Sequence, residues 1–276
     1  MRKKMPVALS NTRSSEMTKL FRDSCNKLAR FSSEAFHGVR FLPGSLPVTY
    51  FGRLTHPDLR VLTVGLNPSW TEFDETGIVG RSGSGQTVSS LKGCTVDEAL
   101  KALARQERYF TVKRIEGRPS RYFDRVESFL NLIGASYYES EEHSLAAHVD
   151  VLTPFATVQA TPIDNADELV LKDGWECFVR VVDEARTACL MIVIGSGMES
   201  FSKYGKVRWT AQPPGRWPNF FSIDSFNGRP LRAVGESSWG GQIVMVPPLS
   251  EPEIVREVRE LLEKWNITFG CPRSPR

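Results

Sequence analysis

Apolar positions along the chain recur with two different periods, and the alternation between those periods predicts the order of elements. From Glu16 to Phe36, Met17, Leu20, Phe21, Cys25, Leu28 and Phe31 fall three or four residues apart, the spacing of one helix face. Ahead of them residues 1–15 are polar and basic, as in a disordered start. Phe41 to Pro47 is a Pro/Gly loop, and Leu59 to Gly65 is a run so apolar from Val61 to Val64 that it suits a strand covered on both faces, the usual state in a parallel sheet. Helical periodicity returns at Val96 to Leu103. It returns again after Ser120, a capping residue, through Val126, Phe129, Leu130 and Ile133 up to Gly134.

The pattern then repeats as strand and helix. His148 to Ala160 reads as a strand running into a loop, with a helix starting at Gly174-Trp175-Glu176-Cys177-Phe178. Ala188 to Ile194 reads as a strand ending in Gly195-Ser196-Gly197, with a helix over Met198 to Tyr204. Residues 205–240, rich in Pro, Trp and Gly, read as an irregular excursion. Gln242 to Val246 is the last strand, and Pro247-Pro248-Leu249-Ser250 leads from it to a helix over Glu251 to Trp265. Strands alternating with helices predict an α/β fold with a mostly parallel central sheet.

In such sheets ligands bind outside the carboxyl ends of the strands. Asn67, in Gly65-Leu66-Asn67-Pro68-Ser69, stands just past such an end. Asn-Pro is also an ordinary turn dipeptide.

Composition narrows the chemistry. The 276 residues are 41% hydrophobic and 24% charged, as in a globular protein, and a net charge of +3 permits nucleic acid as a partner without requiring it. Cys25, Cys94, Cys177, Cys189 and Cys271 are scattered, with no Cys-x-x-Cys pair and no histidine at ligand spacing. This usage argues against zinc and a four-cysteine iron–sulfur cluster, predicts no cofactor, and fits a cytoplasmic protein. No apolar run is long enough to span a membrane, and Met1-Arg-Lys-Lys-Met lacks the apolar core of a secretory signal; a monomer is expected.

Between Lys101 and Arg125 the cations Lys101, Arg105, Arg108, Lys113, Arg114, Arg118, Arg121 and Arg125 outnumber Glu107, Glu116 and Asp124, with Tyr109, Phe110, Tyr122 and Phe123 interleaved. That mixture suits a surface that grips phosphates and stacks bases; a solvated helix face is the competing reading. Gly80-x-x-x-x-Gly85-Gln86-Thr87 approaches a phosphate-binding loop but lacks its lysine, and no well-formed strand precedes it, so a loop without nucleotide is expected.

Gly65-Leu66-Asn67-Pro68 resembles the first motif of the uracil-DNA glycosylase superfamily, in the Gly-x-Asn-Pro form of its mismatch-specific and single-strand-selective branches. Ser120-Arg121-Tyr122-Phe123 is similar to the Asn-Arg-Phe-Trp helix opening of mismatch-specific and thymine-DNA glycosylases. Gly195-Ser196 resembles the superfamily's strand, Gly-Ser and helix unit, and Pro247-Pro248-Leu249-Ser250 its second motif. The resemblance implies a three-layer α/β/α sandwich over residues 41–276, with an N-terminal helical extension at 1–40 and an insertion at about 74–120.

It further implies a monofunctional DNA glycosylase that flips out a modified or mispaired base and hydrolyses its N-glycosidic bond. Such an enzyme would serve repair or defence against phage DNA carrying modified bases. Asn67 would orient the attacking water, with Glu72 assisting it or simply solvated on an exposed turn, and with Asp150 reading an exocyclic amine, polarising a donor, or pairing with an arginine at the edge of the core. Pro68, Ser69, Phe73 and Thr153 would line the base pocket, with Phe73 stacking on the base or serving the core. Ser196, Leu249, Ser250, Arg114, Arg118 and Arg121 would contact DNA, with Leu249 as the wedge.

Two departures stand out. No Asn occurs in the neighbourhood of Asp150 and Thr153, and Met245 and Val246 occupy the place of the second motif's polar residue. The first, with the insertion, points to a bulky modified pyrimidine. The second leaves open a catalytically inactive, glycosylase-fold DNA-binding module. A nucleotide-dependent enzyme built on Gly80 to Thr87 is a third reading.

Overall fold

The structure is a computed structural model that describes residues 7–33, 39–73, 79–116, 121–138, 143–158, 167–185, 188, 190–194, 208–211, 222–226, 229–230 and 242–246. Helix α1 (Val7–Ser33) starts well inside the stretch expected to be disordered. Strand β1 (Leu59–Gly65) has the expected bounds and is buried at every position but Arg60. Three helices follow, α2 (Val96–Glu107), α3 (Tyr109–Glu116) and α4 (Arg121–Leu132). A capping box opens α2: Thr95 Oγ1 accepts from the Glu98 amide, and Glu98 accepts from the Thr95 amide. Two-residue β2 (Ala135–Ser136) and β3 (Ser144–Asp150) come next, then α5 (Glu168–Glu184), capped by Asp167 through the Leu169 amide at 2.7 Å.

The chain closes with β4 (Leu190–Ile194), β5 (Arg208–Ala211), β6 (Ser222–Phe226), β7 (Arg229–Pro230) and β8 (Gln242–Val246). The order across the sheet is β2-β3-β1-β4-β8-β6-β5, with β7 beside β6. Strands β3, β1, β4 and β8 form an all-parallel block, and the pairs involving β5, β6 and β7 are antiparallel.

Four expectations are corrected. Strand β3 begins at Ser144, four residues before His148, and ends at Asp150, where the expected loop takes over. Helix α5 begins six residues before Gly174, which lies inside it. The supposed irregular excursion contributes three strands. Most aromatics of the basic stretch are core: Tyr109, Phe110 and Phe123 are buried, and only Tyr122 is exposed. The glycine loop leads into no helix, since α2 opens only at Val96. Ser120 and the helices expected over Met198 to Tyr204 and Glu251 to Trp265 lie outside the described residues.

From β1 the chain crosses to β3 on one side, then passes over β1 to β4 on the other. Right-handed crossovers in opposite directions put their helices on opposite faces, an arrangement compatible with a three-layer sandwich. The face bearing Thr63 and His148 is covered by Phe51, Tyr109, Phe110, Phe123 and Tyr137, whose rings pack edge to face or stacked. Helix α1 joins the same core through Met17, Leu20, Phe21 and Cys25, and its Leu28 and Phe31 pack with Phe41, Phe155 and Val170 of α5.

Candidate functional site at the carboxyl edge of the sheet

Counted in chain order, the four long parallel strands run second, first, third, fourth across the sheet, so the direction of crossover reverses between β1 and β4. Loops diverge at such a switch point and leave a crevice outside the carboxyl ends of the strands. The loop after β1 opens there. Beside it, the Val151 amide donates to Gly65 O at 3.0 Å and the Leu152 amide to Leu66 O at 2.9 Å, so the loops leaving β1 and β3 run abreast for two residues past the sheet.

Asn67 is half-buried on this edge. Its Nδ2 donates to Pro68 O at 3.1 Å and to Thr157 Oγ1 at 3.4 Å, which fixes the amide plane; its Oδ1 has no hydrogen-bond partner among the described residues. Pro68 is buried. Ser69 is exposed, and its carbonyl accepts from the Glu72 amide at 3.1 Å to start a 3-10 turn, Trp70–Phe73. Trp70 is 43% exposed.

Two residues of this turn point into the protein. Glu72 is 2% exposed and accepts from the Tyr109 hydroxyl, so it is a structural carboxylate and not a solvated group beside a water. Phe73 is 1% exposed in the main core, the alternative to stacking on a base that the sequence also allowed, while its carbonyl accepts from Arg81 Nη2. Thr153 is fully buried, and its Oγ1 accepts from the Phe155 amide at 3.2 Å; it shapes the loop.

Asp150 is the last residue of β3, in register with Gly65. His148, two residues earlier and so on the same face, sets its Nε2 3.4 Å from Asp150 Oδ1. On β1 the register partner of His148 is Thr63, whose Oγ1 lies 2.8 Å from His148 Nδ1 and 2.6 Å from the Tyr137 hydroxyl. All four side chains are buried. Gly65 is what lets them pack: a Cβ there would come within 2.6 Å of Asp150 Oδ1 and 3.0 Å of the His148 ring.

Tyr122 flanks the pair, with its ring edge-on to His148 at 5.7 Å. Although 39% of the residue is exposed, burial of its hydroxyl raises the phenol above its ordinary range, with the Asp150 carboxylate adding to the shift. Burial likewise holds the Tyr137 phenol well up, with charge repulsion from Tyr122 next in size.

Thus Asn67 and Asp150 come to one edge on adjacent strands, while Glu72, Phe73 and Thr153 pack inward. Ser196, Leu249, Ser250 and Arg118 lie outside the described residues, as do the side chains of Arg114 in α3 and Arg121 in α4. Met245 and Val246 end β8 opposite Val193 and Ile194. Sequence reasoning missed Thr63, Tyr137 and the structural part of His148. The available signal was the strand period of two, which puts His148 with Asp150 and Thr63 with Gly65 on one face. Among the described residues no three His, Cys, Asp or Glu side chains group to hold a metal ion, and no helix is long and apolar enough to cross a membrane.

The chain matches no protein-family model and no curated protein.

Proposed function

We propose that the protein is a monofunctional DNA glycosylase of the uracil-DNA glycosylase type, acting on an extruded base at the crevice beside β1. The observation that carries this reading is the placement of Asn67 two residues past the carboxyl end of β1 and of Asp150 at the carboxyl end of the neighbouring β3, next to the switch point. A carboxamide anchored through Nδ2 presents its Oδ1 to a water and orients it toward C1′ of the flipped nucleotide; an amide is too weak a base to do more. Water adds to C1′ as the N-glycosidic bond breaks; the electron pair of that bond leaves with the base, which takes up the proton that the water gives up. Asp150 faces the departing base, and the exposed ring of Tyr122 beside it offers an aromatic surface.

The substrate in this reading is a modified pyrimidine bulkier than uracil, met in repair or in defence against phage DNA. The basic segment from Lys101 to Arg125 supplies the grip on phosphates. Mass spectrometry of bases released from DNAs carrying uracil, 5-hydroxymethylcytosine and its glucosylated form tests the proposal. Release of the substituted cytosine ahead of uracil is expected; fastest release of uracil refutes the bulky-base part, and no release from any DNA refutes the enzyme.

A second reading, a glycosylase-fold DNA-binding module without chemistry, is favoured by the apolar Met245 and Val246 at the end of β8. Tight DNA binding with no strand nicking after alkaline treatment of base-modified duplexes would establish it.

A further inference from the structure

Asp150 is 7% exposed, and its Oδ1 is engaged by His148 Nε2 and packed against Gly65. Its Oδ2 makes no hydrogen bond among the described residues and is not one of their fully buried unpartnered oxygens, so this oxygen carries what access the residue has. A carboxylate oxygen that a ligand can reach and that has no donor of its own suits a ligand that brings one. What fixes the carboxylate is a chain of buried polar groups. Thr63 has one hydroxyl proton, and its Oγ1 lies 2.6 Å from the Tyr137 hydroxyl, 2.8 Å from His148 Nδ1 and 3.2 Å from Ala147 O. Were Nε2 bare, its lone pair would face a carboxylate oxygen at 3.4 Å, which is repulsive. With the proton on Nε2 the shortest contacts are all favourable: Tyr137 donates to Thr63, Thr63 donates to Nδ1 in preference to the more distant Ala147 O, and Nε2–H lies beside Oδ1, 3.4 Å from N to O. Phe51, Phe123 and Tyr122 wall the ring on its remaining sides.

We propose that His148 is the positioning residue of the base pocket: through Nε2–H it holds Asp150 Oδ1 and leaves Oδ2 to accept a hydrogen bond from an N–H of the bound base, the amine edge of a cytosine-type pyrimidine. The proposal rests on the reading of this edge as a base pocket. It adds a requirement for a donor-bearing base and a residue that enforces it without touching that base. Such a base is read by an acceptor, as carboxylates read the cytosine amine elsewhere.

Two measurements on the full chain decide it. The first is the 15N–1H correlation pattern of the imidazoles, with His148 assigned by its loss in His148→Gln. A ring protonated at Nε2, with or without a proton on Nδ1, upholds the proposal; a ring bare at Nε2 overturns it. The second compares His148→Gln with His148→Asn. The two amides are alike in chemistry, but only Gln extends its NH2 to the place of Nε2.

Single-turnover release of a substituted cytosine should stay within about 3-fold of the parent for Gln and fall about 10-fold or more for Asn, the value of one hydrogen bond to a charged group. DNA affinity and melting temperature should be alike in both variants. Equal release by the two overturns the proposal. If the parent protein releases no base at all, the glycosylase reading fails by itself, and the imidazole pattern still decides the His148–Asp150 arrangement.

Discussion

Replacing Gly174 by Ala should destabilise the protein, although intrinsic preference says the reverse. Gly174 lies inside α5, where Ala is favoured over Gly by about 1 kcal/mol. A Cβ at this position, however, would stand 1.7 Å from Leu152 O, 2.4 Å from Leu152 C and 2.9 Å from Thr153 Cα. Restoring an ordinary contact requires helix and loop to part by about 1.5 Å or more. Neither side yields easily. The loop is pinned to β1 by the Val151 and Leu152 amides, and α5 is seated by Val170, Trp175, Phe178, Val181 and Val182, all buried. Overpacking of a seated core costs about 1–3 kcal/mol, and contact with backbone puts this site at the upper end, so the net loss after the helix preference is subtracted should be about 2 kcal/mol. For a chain of this size that lowers the melting temperature by about 4–8 °C. Urea unfolding followed by far-UV circular dichroism, with a parallel thermal scan, measures it. A Gly174→Ala protein that melts at or above the parent temperature would show that the close approach of α5 to the loop after Asp150 is not real, and the placement of that loop would fall with it.

Asn67→Ala should nearly abolish base release and leave DNA affinity within about 3-fold, because the amide is assigned to the water and not to phosphate; unimpaired release in a single-turnover assay removes Asn67 from the mechanism. DNA binding should weaken steeply with salt, and charge reversal at Arg114 and Arg118 should flatten the slope of log K against log salt; an unchanged slope places the DNA surface elsewhere. The Glu98 carboxylate is held down to about 2, first by the Ser89 hydroxyl and then by the Thr95 amide. A depressed carboxylate stabilises the fold above its ordinary value near 4.5 and loses that contribution as pH falls through about 2. Hydrogen-exchange protection of the first turn of α2 should therefore fade between those pH values in the parent and show no such step in Glu98→Gln. Burial pushes the Cys177 thiol up to about 12. Iodoacetamide at pH 8 should leave it unmodified in the native protein and label it after denaturation, as peptide mass spectrometry would read directly.

Strands β1 and β8 were legible to the residue because each is built on a short, mostly apolar run, Val61 to Val64 and Ile243 to Val246, with Gly or Pro at its end. The start of β3 was not. Ser144-Leu145-Ala146-Ala147 carries no strand signature; the two alanines, both fully buried, are small because loops and rings press on the sheet there, and Ala146 O lies beneath Gly52. The opening of α5 was misplaced because Gly174-Trp175 looks like a breaker followed by an anchor, whereas the glycine serves a close contact that only the fold reveals. Asn67 and Asp150 were readable as strand-end polar residues. The inward turn of Glu72 was not, since its partner Tyr109 lies 37 positions along the chain in no periodic relation to it. Nor did composition disclose the antiparallel strands β5, β6 and β7, whose neighbourhood is dense in Pro and Gly.

The order of strands also sets a timetable for synthesis. On one side β4 (Leu190–Ile194) docks against β1, made long before it; on the other its neighbour among the described residues is β8 (Gln242–Val246). About fifty residues separate the two, so at a ribosomal rate of about 5–20 residues per second the outer edge of β4 waits several seconds for its partner. That edge belongs to a run of Leu, Met, Ile, Val and Ile, and an unpaired apolar edge is a template for pairing with other chains. Nascent protein is thus most exposed to aggregation after the first three long strands have assembled. Any truncation that removes Gln242 onward makes that passing hazard permanent.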